Sequence, residues 1–173
     1  MSSPTVTLRP IRGADRAAIA ALFDRLSPES RYARFMGPKK VLLPRELTYL
    51  TEVDHVSHEA VVAVDGASGA IVAVARYAVD AGGVPDFAVA VDDAWHGQGL
   101  GTAVSRAVLA AAAAHGHARI TAMTLWDNEP ARCLLAKLGF VPEGVSQGVL
   151  KLGLTLSSPP VDRGSVGRWS SVS

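Results

Sequence analysis

Apolar residues recur along this chain in two rhythms, and the switches between them mark its elements. Residues 5–9 alternate with period two, as a half-buried strand does. Over residues 15–26 the spacing becomes helical, with Ala18, Ile19, Leu22, Phe23 and Leu26 on one face. A second helix restarts at Ser27, a side chain suited to capping, with Pro28 in the first turn and residues 30–36 following. Residues 44–50 suit another short helix. Strand runs over residues 59–65 and 70–79 are joined by Gly66-Ala67-Ser68-Gly69, a hairpin signature, and a further strand covers residues 84–91 after Gly82-Gly83.

An Ala-rich helix over residues 102–115 comes next, then a strand over residues 119–125. Residues 128–138 read as a helix stopped by Gly139, and residues 140–142 and 149–156 as closing strands. From Ser157 onward the chain is rich in Ser, Pro and Gly without apolar periodicity. Residues 157–173 are therefore expected to be a disordered tail and residues 1–156 the folded domain. There is no internal repeat. The predicted order is βααβββαβαββ, an α/β domain with one mixed central sheet flanked by helices.

Composition narrows the class further. A chain of 173 residues supports one domain of ordinary size with a substantial core. The apolar stretch over residues 107–114 is far below the roughly 20 residues of a membrane span, so no membrane partner is expected. Met1-Ser2-Ser3-Pro4 carries neither a basic region nor an apolar core, so no secretory leader is expected. The single cysteine, Cys133, excludes an intramolecular disulfide and suits a reducing, cytoplasmic compartment. A net charge of +1 gives no electrostatic reason to expect nucleic acid.

The most informative stretch is Val91-Asp92-Asp93-Ala94-Trp95-His96-Gly97-Gln98-Gly99-Leu100-Gly101-Thr102, where a strand passes through a glycine loop into a helix. Glycines let successive N–H groups turn toward one point, and a helix start adds unpaired donors and partial positive charge. Together they suit an anion, most often a phosphate. A nucleoside-triphosphate P-loop would need a Lys after its last glycine, and a dinucleotide loop G-x-G-x-x-G spacing; this chain has neither.

A second block follows one helix and one strand later: Asn128-Glu129-Pro130-Ala131-Arg132-Cys133-Leu134-Leu135-Ala136-Lys137-Leu138-Gly139-Phe140. The two blocks, in this order, resemble the GNAT superfamily of acyl-CoA-dependent N-acyltransferases. His96-Gly97-Gln98-Gly99-Leu100-Gly101 is similar to its Gln/Arg-x-x-Gly-x-Gly/Ala pyrophosphate loop. The later block is similar to its Asn-x-x-Ala…Lys-x-Gly-Phe element after the fifth strand. The resemblance covers residues 5 to about 155 and implies a GNAT-like sheet, acetyl-CoA as co-substrate and no metal. A narrower likeness lies in Leu8-Arg9-Pro10-Ile11-Arg12, in residues 26–35, in Val53-Asp54-His55 and in residues 58–63. These are similar to the bacterial protein lysine acetyltransferase branch, whose members act on AMP-forming acyl-CoA synthetases. The implied partner is a protein with an acceptor lysine, for example such a synthetase. A small-molecule amine and a non-catalytic CoA-binding module are the alternatives.

The resemblance also implies roles for particular residues. Backbone groups of Val89, Ala90 and Val91 would pair with the pantetheine amides, as an added strand does. His96, Gly97, Gln98, Gly99, Leu100, Gly101 and Thr102 would hold the pyrophosphate, and Asn128 would reach the pantetheine arm. Two positions depart from the pattern. His96 stands where the family has Gln or Arg, and Leu135 where many members have a Tyr that protonates the leaving thiolate. Thiolates leave readily (a reference pKa of about 8.5), so solvent protonation could suffice.

Amide formation on a lysine needs a base, because the free amine has a pKa near 10.4. Asp86 is the one charged residue on its strand before the turn, and the resemblance places a Glu base at the matching position. Asp86 is thus the candidate catalytic base, acting through water because it is one methylene shorter; the alternative is a solvated carboxylate at a strand start. Asp54, His55, His58 and Glu59 suit a strand edge or substrate groove better than a metal site, for want of a completing ligand. His115 and His117 suit a helix end. Cys133 reads as a core residue without an activating neighbour. Trp95 either lines the groove or packs beside the loop, and Arg31, Tyr32 and Arg34 either face the acceptor or form an ordinary helix surface.

Overall fold

In the computed structural model, which describes residues 4–157, the two rhythms become seven strands and five α-helices. They are β1 (Val6–Pro10), α1 (Arg16–Arg25), α2 (Pro28–Phe35), α3 (Pro44–Thr51), β2 (His58–Asp65), β3 (Ile71–Val79), β4 (Pro85–Val91), α4 (Leu100–Ala114), β5 (Arg119–Leu125), α5 (Glu129–Lys137), β6 (Val141–Ser146) and β7 (Val149–Thr155). The fold is the expected mixed α/β arrangement. Its order gains one helix over the expected string: α3, the segment whose periodicity is visible at residues 44–50. Pro44 stands in its first turn, and the Glu46 carboxylate accepts the Leu43 N–H at 2.7 Å. Of the tail expected over 157–173, residues 158–173 lie outside the described residues, as do residues 1–3.

All seven strands form one sheet in the order β1-β2-β3-β4-β5-β7-β6. Every neighbouring pair is antiparallel except β4 and β5, whose parallel run needs the α4 crossover between them. That parallel pairing is short, covering Asp86 opposite Thr121 and Phe87 opposite Ala122. Beyond it each strand stays with its other neighbour: β4 follows β3 as far as Val91 opposite Ala73, and β5 follows β7 as far as Leu125 opposite Val149. The sheet therefore splits into a V that opens toward the glycine loop.

Side chains alternate across the sheet and build two cores. Phe87, Ile120 and Ala122 pack with Val104, Val108 and Ala112 of α4 and Leu135 of α5. On the other face Ala60, Val62 and Val74 pack with Ile19 and Leu22 of α1 and Leu50 of α3. Cys133, expected in the core, is exposed. Helix α5 turns Leu135 inward, and a residue two positions earlier points roughly 200° away on a 3.6-residue helix.

Candidate active site

Local hydrogen bonds hold the loop after β4. The Asp92 N–H continues the ladder to Val72 O at 2.9 Å, while its carboxylate takes Arg25 Nε at 2.6 Å and the Ala94 N–H at 3.0 Å. Asp93 accepts the Ser27 N–H at 3.1 Å and the Ser30 hydroxyl at 3.0 Å, which ties the loop to the start of α2. Gly97 and Gly99 have φ of 75° and 81°, a region open to glycine and strained for a β-branched residue. Gly99 caps α4, so the helix begins at Leu100, two residues ahead of the expected start. Among the described residues the N–H groups of residues 97–102 have no hydrogen-bond acceptor. Six successive free amides, three of them in the first turn of a 15-residue helix, are a donor arrangement that suits an anion. Gly101 differs from its neighbours. Its φ is not positive, and a Cβ there would meet Leu134 and Val91 at an ordinary 3.5 Å.

The V between β4 and β5 is the mouth of a cleft of about 340 Å³. Its walls come from residues 87–91 of β4, residues 122–124 of β5, Asn128 and Leu135 with their α5 neighbours, and Arg34 with other residues of α2. The Asp92 bond to Val72 fixes the alternation of β4: the backbone groups of Ala90 face β3, and those of Val89 and Val91 face the open side. Of the three residues expected to pair with a ligand, two thus have free amides; Ala90 contributes only its side chain. His96 has a defined place, with Nε2 donating to the Val91 carbonyl at 3.0 Å. Asn128 caps α5, its Oδ1 accepting the Ala131 N–H at 3.2 Å, and lines the cleft. Leu135 is buried in the wall and offers no proton. The Thr124 hydroxyl of the same cleft is buried without a partner among the described residues.

Asp86 sits at the closed end of the V, opposite Ala78 of β3 and Thr121 of β5. Alternation puts its side chain on the α1–α3 face with Ala88 and Ala90, but unlike those two it does not line the cleft and stands behind its wall. Burial pushes its carboxyl above the usual range; Arg34 opposes the shift, Asp80 adds to it and Lys151 opposes it. A carboxylate displaced in that direction is a stronger base.

The remaining candidates separate. His58 and Glu59 point to opposite faces of β2. The His58 ring accepts Arg76 Nη1 at 3.0 Å, whereas the Glu59 carboxylate takes the Ala60 N–H at 2.8 Å and His55 Nδ1 at 2.9 Å. Asp54 closes a turn through the Ser57 hydroxyl and the N–H groups of Val56, Ser57 and His58, which hold its carboxyl below the usual range. Trp95 packs against the α4 core, beside the loop. His115 meets the Tyr77 hydroxyl at 3.0 Å, and the His117 ring lies edge-on to Tyr77. Arg31 folds back onto the carbonyls of Phe23 and Asp24, Tyr32 is exposed, and Arg34 lines the cleft. Sequence reasoning missed Arg76, although its signal was present: it is the only charge in the strand run over residues 70–79.

Comparison with known proteins places this geometry. A family model described as an acetyltransferase (GNAT) domain matches residues 5–141. An acetyltransferase of Pseudomonas aeruginosa is 31% identical over 156 residues, covering 86% of this chain and 84% of that protein. Acetyltransferase Pat of Mycolicibacterium smegmatis is 32% identical over 138 residues, 79% of this chain; the chain spans only 40% of that protein's length. The crystal structure of the GNAT domain of S. lividans PAT superposes with a TM-score of 0.82 at 26% identity, covering 89% of this chain and 96% of that one.

Proposed function

This chain belongs to the GNAT family of acetyltransferases, and on that premise we propose that it uses acetyl-CoA to acetylate a primary amine, namely a lysine of a protein such as an AMP-forming acyl-CoA synthetase. One observation carries the donor half of this reading: the split between β4 and β5 leads straight into six unpartnered amides. The residues present fit acetyl-CoA. Residues 97–102 would hold its pyrophosphate, Val89 and Val91 would pair with its pantetheine amides, and Asn128 would offer its side-chain NH₂, the oxygen being committed to the cap. His96 would fix the Val91 carbonyl instead of reaching the pyrophosphate.

Acetyl-CoA supplies an activated acetyl thioester. The chain's own part is to hold that thioester straight along β4, keep water out with Leu135 and its neighbours, and accept the proton of the incoming amine at Asp86. Because Asp86 stands behind the wall, its proton would arrive through a bridging water. Leu135 leaves the departing thiolate to be protonated by solvent.

The acceptor assignment rests on residues 26–35 and 53–63, which carry the narrower likeness, and on relatives named Pat. The described residues include no helix long and apolar enough to cross a membrane. Incubation of the protein with labelled acetyl-CoA and host lysate tests the acceptor. Protein-bound label is expected; label confined to the small-molecule fraction would replace the protein lysine with a small amine. CoA binding without any transfer would leave a binding module.

A further inference from the structure

Among the described residues Arg76 is a buried charge with no opposite charge paired to it. It sits mid-strand in β3, between Ala60 of β2 and Ala88 of β4, with 6% of its surface exposed. Its Nη1 donates to the Leu50 carbonyl at 3.1 Å and to His58 Nε2 at 3.0 Å, and these are its only hydrogen-bond partners among the described residues. Both are neutral: burial and Arg76 itself push the imidazole down to about 4. Arg76 belongs to none of the ion pairs among the described residues. Burial, reinforced by Arg34, pushes the guanidinium down to about 9, still a cation at neutral pH. Buried cations are ordinarily matched by an anion, because leaving the charge alone in a poor solvent is costly. The carbonyl at the end of α3 and the His58 ring take two of its five donors.

Arg34 compounds the imbalance. It lies on α2 with its guanidinium over the Phe35 ring, 4.9 Å from the centroid, and is also disfavoured by burial. Asp86 faces it but forms no ion pair with it. Both arginines line a cavity of about 40 Å³ whose other walls are all apolar, Phe35, Leu50, Val74 and Ala90 among them. A water needs roughly 10–15 Å³ by a comparable measure, so a carboxylate group fits. The cavity shares Leu26, Arg34 and Ala90 with the main cleft and so adjoins it where α2 meets β4.

We propose that Arg34 and Arg76 form a carboxylate subsite, and that the acceptor carries a carboxylate a few bonds from the amine it presents near Asp86. The shared chemistry has two sources: the α-carboxylate of an amino-acid-like amine, or an Asp or Glu side chain beside an acceptor lysine. Arg donors in a half-dry pocket suit the planar group, and Asp86 supplies the opposite charge for the ammonium before it loses its proton. The inference rests on the acetyltransferase reading above, with the amine entering between α2 and β4.

The test uses matched acceptors with acetyl-CoA: free amino acids against their carboxamides, and lysine peptides with Asp flanking the lysine against the same peptides with Asn. The carboxylate member of a pair should be favoured roughly 10- to 100-fold in kcat/KM, the scale of one or two charge-assisted hydrogen bonds, and mainly through KM. The arm in which the preference appears names the source. In Arg34→Gln and in Arg76→Met the ratio should fall toward one; if Arg76→Met fails to fold, Arg34→Gln decides. Equal use of both members by the unaltered protein would overturn the proposal. Should no acceptor be turned over, a thermal-shift comparison of butyrate with butyramide, CoA present, decides in the same way. Stabilisation by butyrate that Arg34→Gln removes supports the subsite, and equal shifts reject it. An error in the choice of base would appear separately, as full turnover by Asp86→Asn with the carboxylate preference intact.

Discussion

Against α4 and α5 the sheet is mainly apolar, interrupted by the buried Glu59 and Thr124, and the free groups at the cleft mouth on that side are backbone amides. Against α1, α2 and α3 the same sheet carries Arg76, His58 and Asp86 among smaller apolar residues, and the groups facing the acceptor side are charged side chains. The difference follows from what each half has to hold. On the proposed reading one half holds a pyrophosphate and a pantetheine arm, for which backbone geometry fixed by two glycines would suffice. On the same reading the acceptor half would move a proton and choose a partner, which takes titratable groups whose energies are set by burial. One half is built from main chain; the other carries buried ionisable groups whose pKa values are shifted by burial.

The strongest way to separate the halves is Asp86→Asn. The chemical step should fall by roughly two to four decades, the usual yield of general-base catalysis, while calorimetry should find CoA affinity almost unchanged. Stability should move the other way. The folded state raises the pKa of this acid, so it holds the proton more tightly than the unfolded chain does. Its contribution is therefore most favourable at low pH and is lost as pH rises through the folded pKa. At pH 7 the Asn variant should melt higher than the unaltered protein, and the gain should vanish in acid. A variant that melts lower at pH 7 would mean that the carboxylate is stabilising where it sits.

The loop can be broken selectively as well. Gly99→Val should weaken CoA binding by at least about tenfold, because a β-branched residue resists φ near 81° and the strain of about 1–3 kcal/mol would distort the cradle. Gly101→Ala should be milder, since its backbone is ordinary and the added Cβ makes only normal contacts. Equal losses in the two variants would show that close approach of the ligand, and not backbone conformation, decides the loop.

A smaller effect should appear in acid. His58 has its pKa pushed from 6.5 down to about 4 in the folded protein, so folding favours the neutral ring. The stability this supplies is complete above pH 6.5 and is lost as pH falls from there toward 4. Melting temperature followed across that window should drop, and His58→Gln should flatten part of the fall. An unchanged slope would move the acid sensitivity away from the acceptor face.

Much of this was legible beforehand for a physical reason. The periodicity of residues 15–26 and the punctuation at Gly82-Gly83 and Gly139 are local, so they survive into the structure. The glycine loop announced itself because its conformation depends on residues adjacent in sequence. Asn128 was legible as a motif position but not as the α5 cap that occupies its oxygen. Arg34 could not be told from Arg31 by spacing alone. One folds back on the carbonyls of α1's last turns and the other lines the cleft, a distinction made by what packs over α2.

The sequence by itself determined the order of elements, the strand-to-helix glycine loop and the carboxylate on the strand before it, because each depends on neighbours within a few residues. Only the tertiary structure decided where β4 and β5 part, which amides of β4 stay free, that Asp86 stands behind the wall beside Arg34, and that Arg76 is buried without an anion. Each of these depends on pairing register and burial between segments tens of residues apart, and the same residues would be unremarkable solvated side chains if the sheet had formed in another register.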